Sequence, residues 1–475
     1  MSFKTVVEKI PGYNSLVKPL HLLQAMVASL KYGRPAKKLR VIGVTGTNGK
    51  TTTSFLIWKM LNESGHKAGL LTTVGWSKGG DDLTKQIEHM TTERVGILNQ
   101  RISAIRDAGA EFLVLEVTSH ALSQYRTWGI PIEVAVFTNL AHEHLDYHRT
   151  MEKYRAAKGK LFKKACSGVI NADDENADFF ARKLRHLHKN YASGDILDLG
   201  NYARNELILY GIDYGDTRAT EVELKPTGIK YACNEYCGKS FMHRMNKEIS
   251  GDDWSSMPIR VQIAGKFNVY NSLAAVGVGR QLGLTDTEIQ RGIAALTEVE
   301  GRMTRVDEGQ PFTVIVDYAH VPDALEKVLT DVRTALGLAE EGSDEQEAKK
   351  APRIITVHGG AGRRDHSTRA PRGEILGKYS DLVIITEDDS RDEDPAAIAA
   401  DFVKGAEAAH KVLDKDLLVE LDRRTAIKRA FELARPDDVV LILGKGHEKT
   451  ILRADGPHDF EDIEVARELL KDLAA

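Results

Sequence analysis

Cysteine is scarce in this chain of 475 residues, which carries only Cys166, Cys233 and Cys237. An odd and sparse count cannot build a disulfide framework, so a reducing compartment and a cytoplasmic location are expected. Cys233 and Cys237 stand in Cys-Asn-Glu-Tyr-Cys with no second pair nearby, which argues against zinc. An excess of one charge is also missing: 65 Lys and Arg face 69 Asp and Glu, for a net charge of −4. Acids and bases are mixed along the chain, so there is no electrostatic footprint for nucleic acid as a partner. Long apolar runs are absent too. The apolar stretch from Pro19 to Leu30 falls short of the roughly 20 residues that a bilayer span needs. It lacks a small-residue cleavage site, and Lys37 to Arg40 lead straight into a strand, so a signal peptide is not expected. The segment reads as a helix packed on the first domain. Its basic surroundings, Lys18, Lys31, Arg34, Lys37, Lys38 and Arg40, make membrane-surface contact the second and less favoured reading. No internal repeat is visible.

What is present is a normal globular composition, 42% hydrophobic and 28% charged, over a length that calls for two or three domains. Short β-branched runs alternate with helical patterns, the mark of a mainly parallel α/β architecture. Strands are expected at residues 40–45, 112–117, 133–138, 313–317, 353–357, 382–386 and 439–443. Gly301–Arg302 closes a helical stretch before a new strand-rich block. The expected division is therefore a helical extension over 1–39, a P-loop-type central domain over 40–301 and a Rossmann-like C-terminal domain over 302–475. Residues 340–350 read as a solvated loop, and residues 190–256 as irregular and poor in motifs. Ligands of open α/β sheets collect at the carboxyl ends of strands, and the unusual residues of this chain lie there.

The first expected strand runs into Gly43-Val-Thr-Gly46-Thr47-Asn48-Gly49-Lys50-Thr51-Thr52, which opens a helix expected over 52–64. Glycines let the backbone curl until its amide N–H groups point at phosphate oxygens. Lys50 adds a point charge for the outer phosphates, and Thr51 is placed to ligate Mg2+. The strand expected at 112–117 ends in Glu116-Val-Thr118-Ser-His120. A carboxylate there, beside a phosphate loop, suits Mg2+ directly or through water. The strand at 133–138 runs into Thr138-Asn139-Leu-Ala-His142-Glu143-His144-Leu-Asp146-Tyr-His148. This cluster reads as a metal site, zinc or a second magnesium, although zinc spacing is not met cleanly. Lys158, in Met151-Glu-Lys-Tyr154-Arg-Ala-Ala157-Lys158, reads by composition as an exposed helix lysine.

The loop GVTGTNGKTTT resembles that of the Mur ligases, which build the peptide of bacterial cell walls; folylpolyglutamate synthases and cyanophycin synthetases are relatives. The resemblance implies an ATP-dependent ligase that couples a carboxylate to an amine through an acyl phosphate, with ATP and two Mg2+ ions. It implies that Gly46, Thr47, Asn48, Gly49, Lys50, Thr51 and Thr52 hold the nucleotide. It implies further that Asn139 contacts the terminal phosphate, that His144 binds the second Mg2+, and that Lys158 is carbamylated and helps to hold that ion. The expected catalytic set is then Lys50, Asn139, His144 and Lys158, and the metal set Thr51, Glu116, His144 and Lys158. Where the family carries aspartate before the metal histidine, this chain has Glu143, longer by one methylene. Gly265-Lys-Phe-Asn268-Val-Tyr-Asn271 resembles the family's adenine-side helix entry. Gly301-Arg302-Met303 and Asp317-Tyr-Ala-His320 resemble the stretches that close over ATP, which adds Arg302 and Asp317 to the nucleotide set.

Further stretches resemble the family branch that adds the third residue of the stem peptide. Thr91, Thr92, Thr118, Gln124 and Arg126 fall where that branch contacts its muramoyl-dipeptide. Gly444-Lys445-Gly446-His447-Glu448 is close to a signature of it. Members taking meso-diaminopimelate carry Asp-Asn-Pro-Arg where this chain has Asp388-Asp389-Ser390-Arg391. A guanidinium offers a carboxylate a bidentate fork, so Arg391, with Arg364 at a second such position, is expected to read a distal carboxylate. Gly444 and Glu448 complete that pocket by resemblance. The extra charge of Asp389 favours a more cationic substrate. The expected amino acid is meso-diaminopimelate, with lysine or another diamino acid as the alternative. Family members carry a uridine-binding domain ahead of the loop. Only about 40 residues precede it here, so that domain is expected to be missing. A related ligase acting on a folate-type or other acceptor without UDP therefore stays open. A non-catalytic ATP-binding scaffold would have lost Lys50, Thr51, Glu116, His144 or Lys158, and all are present. A monomer is expected.

Overall fold

The computed structural model describes residues 13–85, 91–184, 207–225, 228–237, 254–338 and 351–474. They fall into two compact units. The first comprises the described residues up to Glu223 with those of Ile229–Gln262 and Asn268–Leu296, and the second comprises Leu224–Gly228, Ile263–Phe267 and Thr297–Ala475.

The first unit opens with helix α1 (Tyr13–Lys31) and is built on strands β1 (Arg40–Thr45), β2 (Ala68–Leu71), β3 (Gly75–Ser77), β4 (Thr84–Lys85), β5 (Phe112–Glu116) and β6 (Ile132–Phe137). Strands β7 (Ala165–Asn171), β8 (Leu207–Gly211), β9 (Thr217–Lys225), β10 (Gly228–Tyr236) and β11 (Trp254–Val261) follow. The sheet order is β11-β10-β9-β8-β7-β6-β1-β5-β2-β3-β4. The central strands β2, β5, β1, β6, β7 and β8 pair in parallel. Strand β5, Phe-Leu-Val-Leu-Glu, is buried along its whole length, as a parallel strand covered on both faces must be. Helices α2 (Lys50–Glu63), α3 (Val95–Asp107), α4 (Met151–Phe162) and α5 (Phe267–Leu282) accompany this sheet. Gly43 matters to the placement of α4: a Cβ there would stand 3.0 Å from Leu161 Cδ1. Without one, α4 lies close to β1 and brings Lys158 to the end of that strand.

Strands β8, β9 and β10 correct the expectation of an irregular stretch over residues 190–256 where that stretch is described; residues 190–206, 226–227 and 238–253 lie outside the described residues. Strand β9 alternates half-buried and exposed positions from Thr220 onward, and its exposed charged residues, Glu221, Glu223 and Lys225, obscure the strand signal. The expected loop at 340–350 lies outside the described residues.

The second unit holds strands β12 (Thr304–Val306), β13 (Thr313–Asp317), β14 (Ile354–Gly360), β15 (Leu382–Glu387), β16 (Leu417–Val419) and β17 (Val439–Leu443). Their order is β12-β13-β17-β14-β15-β16, parallel except for β12. Helices α6 (Pro322–Ala335), α7 (Arg369–Tyr379), α8 (Pro395–Ala408), α9 (Arg423–Leu433) and α10 (Asp462–Ala474) complete it, with the hairpin β18 (Thr450–Arg453) and β19 (Gly456–Asp459). The register sets Asp317 beside Leu443 and Gly360 beside Glu387. The loops after β13, β14, β15 and β17 therefore emerge from one end of the sheet. A fully buried pair, Arg423 to Asp462 with both bonds at 2.7 Å, ties α9 to α10. Arg423 also donates to the carbonyls of Glu387 and Leu443, fixing the ends of β15 and β17.

Candidate active site

In the first unit the loop between β1 and α2 curls as its glycines dictate. A Cβ on Gly46 would clash with Thr138 Oγ1, and Gly49 turns at φ 80° against Asn271 Oδ1. The Asn139 side chain clamps the loop: its Oδ1 accepts from Asn48 N at 2.9 Å and its Nδ2 donates to Asn48 O at 3.1 Å. Thr138 Oγ1 donates to the same carbonyl at 2.6 Å. Asn139, expected at the terminal phosphate, shapes the cradle through these bonds to Asn48. Lys50 Nζ donates to Thr47 O at 2.7 Å, which folds the ammonium over the loop. Thr51 and Thr52 are buried at the start of α2.

Thr51 Oγ1 donates to Glu116 Oε2 at 3.0 Å. Thr73 donates to that same oxygen from its N–H at 3.1 Å and its hydroxyl at 3.2 Å. Two adjacent hard oxygens, a hydroxyl and a buried carboxylate, beside Lys50 suit Mg2+. The expected acceptor residues connect to this point. Thr73 Oγ1 lies 2.9 Å from Thr91 Oγ1, Thr92 Oγ1 donates to Glu116 O at 3.0 Å, and Thr118 N donates to Thr92 Oγ1 at 3.0 Å. Arg126 grips Gln124 Oε1 and the Thr92 carbonyl. Thr91, Thr92, Thr118, Gln124 and Arg126 are therefore one network, which adjoins the Thr51–Glu116 pair.

Lys158 is a buried residue, not the exposed lysine that composition suggests. Its Nζ donates to Gly46 O and lies 4.5 Å over the Tyr154 ring. Burial, then the nearby Lys50 ammonium, pushes this amine well below the usual lysine range, against the pull of Glu143 and Glu116. His144 Nε2 stands 3.5 Å from Glu143 Oε2, and the His120 ring packs edge-on to His144 at 4.8 Å. Burial, with His144 and His148 beside it, pushes His120 down to about 2. His148, lowered to about 4 chiefly by burial, shares a 2.9 Å hydrogen bond with Ser119 Oγ. Asn271 closes the other side of the loop: its Oδ1 accepts from Thr53 Oγ1 at 3.2 Å and its Nδ2 donates to Asn268 Oδ1 at 2.7 Å.

In the second unit Asp317 is buried and accepts from Met303 N at 2.8 Å and Ala319 N at 2.7 Å. Arg302 stacks over the Tyr318 ring at 4.6 Å, and Tyr318 donates its hydroxyl to Glu448 Oε1 at 3.3 Å. Beyond β15 and β17 lies a cluster of charges. Lys445 Nζ reaches Asp388 at 3.1 Å, Asp389 at 3.0 Å and Glu448 at 3.1 Å. These three carboxylates lie within 4.8 Å of one another, a spacing that could hold a metal, but the Lys445 ammonium already stands among them. Asp388 is held well below the usual carboxylate range by Lys445 and Arg423 against the cost of burial. Arg391 lies 3.7 Å from Asp389. Burial and then the nearby Arg364 guanidinium lower its pKa. Gly444 leaves room beside Asp388, whose Oδ2 would be 3.6 Å from a Cβ there. The Ser390 hydroxyl is taken by Glu387 Oε1 at 2.7 Å.

Sequence reasoning missed Thr73, Tyr154, Ser119 and Lys445 as parts of these sites. Lys445 alone had a usable signal, a lysine inside GKGHE directly after an apolar strand. Thr73 has none, because only the fold carries it to Glu116.

The pattern of the Mur ligase middle domain matches residues 44–279, and that of the Mur ligase glutamate ligase domain matches residues 301–446. The UDP-N-acetylmuramyl-tripeptide synthetase of Roseiflexus sp. (strain RS-1) is 36% identical over 455 residues, covering 94% of this chain and 82% of that protein. The UDP-N-acetylmuramoyl-L-alanyl-D-glutamate–2,6-diaminopimelate ligase of Syntrophomonas wolfei is 37% identical over 453 residues, 94% of this chain and 81% of that one. A solved structure of a ligase with the latter name superposes with a TM-score of 0.59 at 28% identity, covering 97% of this chain and 83% of its own. A Mycobacterium tuberculosis folylpolyglutamate synthase, at 17% identity, shares the fold with a TM-score of 0.64 over 89% of this chain and 92% of its own. With both domain patterns in order and identity sustained along nearly its whole length, the chain belongs to the Mur ligases, a family of ATP-dependent enzymes that form amide bonds.

Proposed function

We propose that this ligase adds a diamino acid, meso-diaminopimelate in the first instance, to UDP-N-acetylmuramoyl-L-Ala-D-Glu, as a cytoplasmic monomer. The names of its relatives support that acceptor and amino acid. The observation that carries the reading is the charge pattern of the second unit. Arg391 and Arg364 lie close together beside Asp388, Asp389 and Glu448. A diamino dicarboxylic acid needs both signs: guanidinium forks for its distal carboxylate and carboxylates for its ammonium.

The acceptor carboxylate attacks the γ-phosphorus of ATP, an O–P bond forms, and ADP leaves. The amine of the incoming amino acid then attacks the acyl carbon, the C–N bond forms, a proton is lost, and phosphate departs. Lys50 and the loop N–H groups stabilise the charge that gathers on the phosphoryl oxygens. Asn139 and Thr138 hold the loop in the required curl. The Thr92–Gln124–Arg126 network positions the muramoyl-dipeptide. Two Mg2+ ions, one held by Thr51 and Glu116 and one by His144 with carbamylated Lys158, would supply further positive charge against the phosphoryl oxygens. A neutral amine is what adds to CO2, and the burial of Lys158, which pushes its pKa well below the usual lysine range, favours that form. The N–C bond forms, a proton is released, and a carboxylate replaces a neutral amine.

The test is phosphate release from ATP and Mg2+ with UDP-N-acetylmuramoyl-L-Ala-D-Glu and each amino acid in turn. Release with meso-diaminopimelate is the expected result. Silence with every amino acid, from folded protein that still binds ATP, would refute the acceptor and favour one without the UDP handle.

A further inference from the structure

Helix α1 is apolar on two sides, and among the described residues only one of them is covered. Ala25, Ala28 and Ser29 are buried, and the helix packs on α3. Leu20, Leu23, Val27 and Leu30 remain 53–56% exposed. At about 100° and 1.5 Å per residue, these four positions share an arc of about 80° along roughly 15 Å of helix. Scattered exposed leucines are ordinary, but an aligned stripe marks an interaction surface.

The charges of α1 itself and of the turn just beyond it have one sign, while Glu111 and Glu133 pair with Arg40 and Asp107 pairs with Arg106 on neighbouring elements. Lys18 and Lys31 are exposed near the two ends of α1, and Arg34, Lys37 and Lys38 are exposed just beyond it. Lys160 and Lys163 add to this fringe, since Lys18 and Lys163 both help to lower the pKa of Lys160. No Asp or Glu occurs between Glu8 and Glu63. A typical protein partner presents both signs, whereas an anionic bilayer presents acyl chains for leucines and phosphates for ammonium groups. No helix among the described residues is long and apolar enough to cross a membrane, so the contact available to α1 is with the surface.

We infer that α1 is a peripheral, reversible anchor that lies flat on a membrane surface rich in anionic lipid. The exposed stripe enters the headgroup–acyl boundary and the lysines and arginines engage lipid phosphates. His21, on the same helix, is close enough to Arg126 for that guanidinium to lower its pKa. The anchor thus adjoins the loop of Gln124 and Arg126, and would hold it near the bilayer.

The full chain is sedimented with vesicles of phosphatidylcholine, with and without phosphatidylglycerol, at low and high salt. Binding is expected only with phosphatidylglycerol and should weaken with salt. The Leu23→Glu/Val27→Glu variant should bind about tenfold less or weaker still, with an unchanged circular dichroism spectrum and unchanged phosphate release. Lys37→Glu/Lys38→Glu should likewise lose about tenfold or more, which keeps the idea testable if the first variant folds poorly. Equal binding to both vesicle types, or no binding by the folded parent, would overturn the inference. So would a parent dimer that the first variant splits without any vesicle binding, which would give the stripe to a second copy of this chain.

Discussion

Replacing Lys445 with methionine tests the charge cluster of the second unit most directly. Its ammonium is fully buried and lies 3.0–3.1 Å from Asp389, Asp388 and Glu448. Methionine keeps much of the volume and removes the charge, leaving three carboxylates within 4.8 Å of one another. Removing one partner of a buried ion pair costs about 3–5 kcal/mol. The unpaired carboxylates then protonate, so their pKa values rise. The cost is therefore largest at pH 8 and shrinks as the pH falls toward 5 and protons neutralise the cluster. All four tryptophans, Trp58, Trp76, Trp128 and Trp254, lie in the first unit, so their fluorescence would not report this loss. Amide hydrogen exchange in β17, which is buried throughout, would. At 1.4 kcal/mol per tenfold, exchange there should accelerate about a hundredfold or more at pH 8. Adding Asp389→Asn should recover part of the protection by removing one of the like charges. A Lys445→Met protein within about 1 kcal/mol of the parent at pH 8 would refute the view that this ammonium neutralises the cluster.

Lys158→Ala should lower turnover by about a hundredfold or more, with partial recovery in a short carboxylate such as acetate; full activity without rescue would remove the carbamate from the mechanism. Arg391→Ala should weaken use of meso-diaminopimelate by about 10- to 100-fold, the worth of a charge-assisted bond. Lysine, which lacks the distal carboxylate, should be nearly unaffected in competition assays; equal losses would mean that Arg391 does not read that group. Asp331 is lifted to about 6, chiefly by burial and against its hydrogen bonds from the N–H groups of Phe267 and Lys266. Its folded pKa is raised, so the native state holds the extra proton and loses stability as the pH rises from 3.8 through about 6. Asp331→Asn should raise stability at pH 8 by about 3 kcal/mol and change little at pH 4, measured by denaturant unfolding at the two pH values; equal effects at both would show that the carboxylate charge is not the cause.

Local chemistry made much of this protein legible in its sequence. Strands β1, β15 and β17 were readable because short β-branched runs buried on both faces have few alternatives. The phosphate loop was readable because Gly46, Gly49, Lys50 and Thr51 are neighbours in the chain and act together through the backbone they share. Strands β8, β9 and β10 were not: toward the sheet edge, exposed charged residues such as Glu221 and Glu223 dilute the apolar signal.

The sequence by itself determined the class of fold, the family and most of the candidate residues, since those depend on residue types at short spacing. Tertiary structure alone decided what the residues do to one another. It turned Lys158 from a helix lysine into a buried amine beside Gly46, because α4 packs against Gly43. It turned Asn139 into the clamp of Asn48, and set Thr73 on the Glu116 carboxylate. It placed Lys445 among Asp388, Asp389 and Glu448, so that the charge of Asp389 is already matched within the protein. It also left Leu20, Leu23, Val27 and Leu30 in water. Burial and charge pairing depend on which elements come to lie side by side, and residues tens to hundreds of positions apart meet only when the sheets have formed.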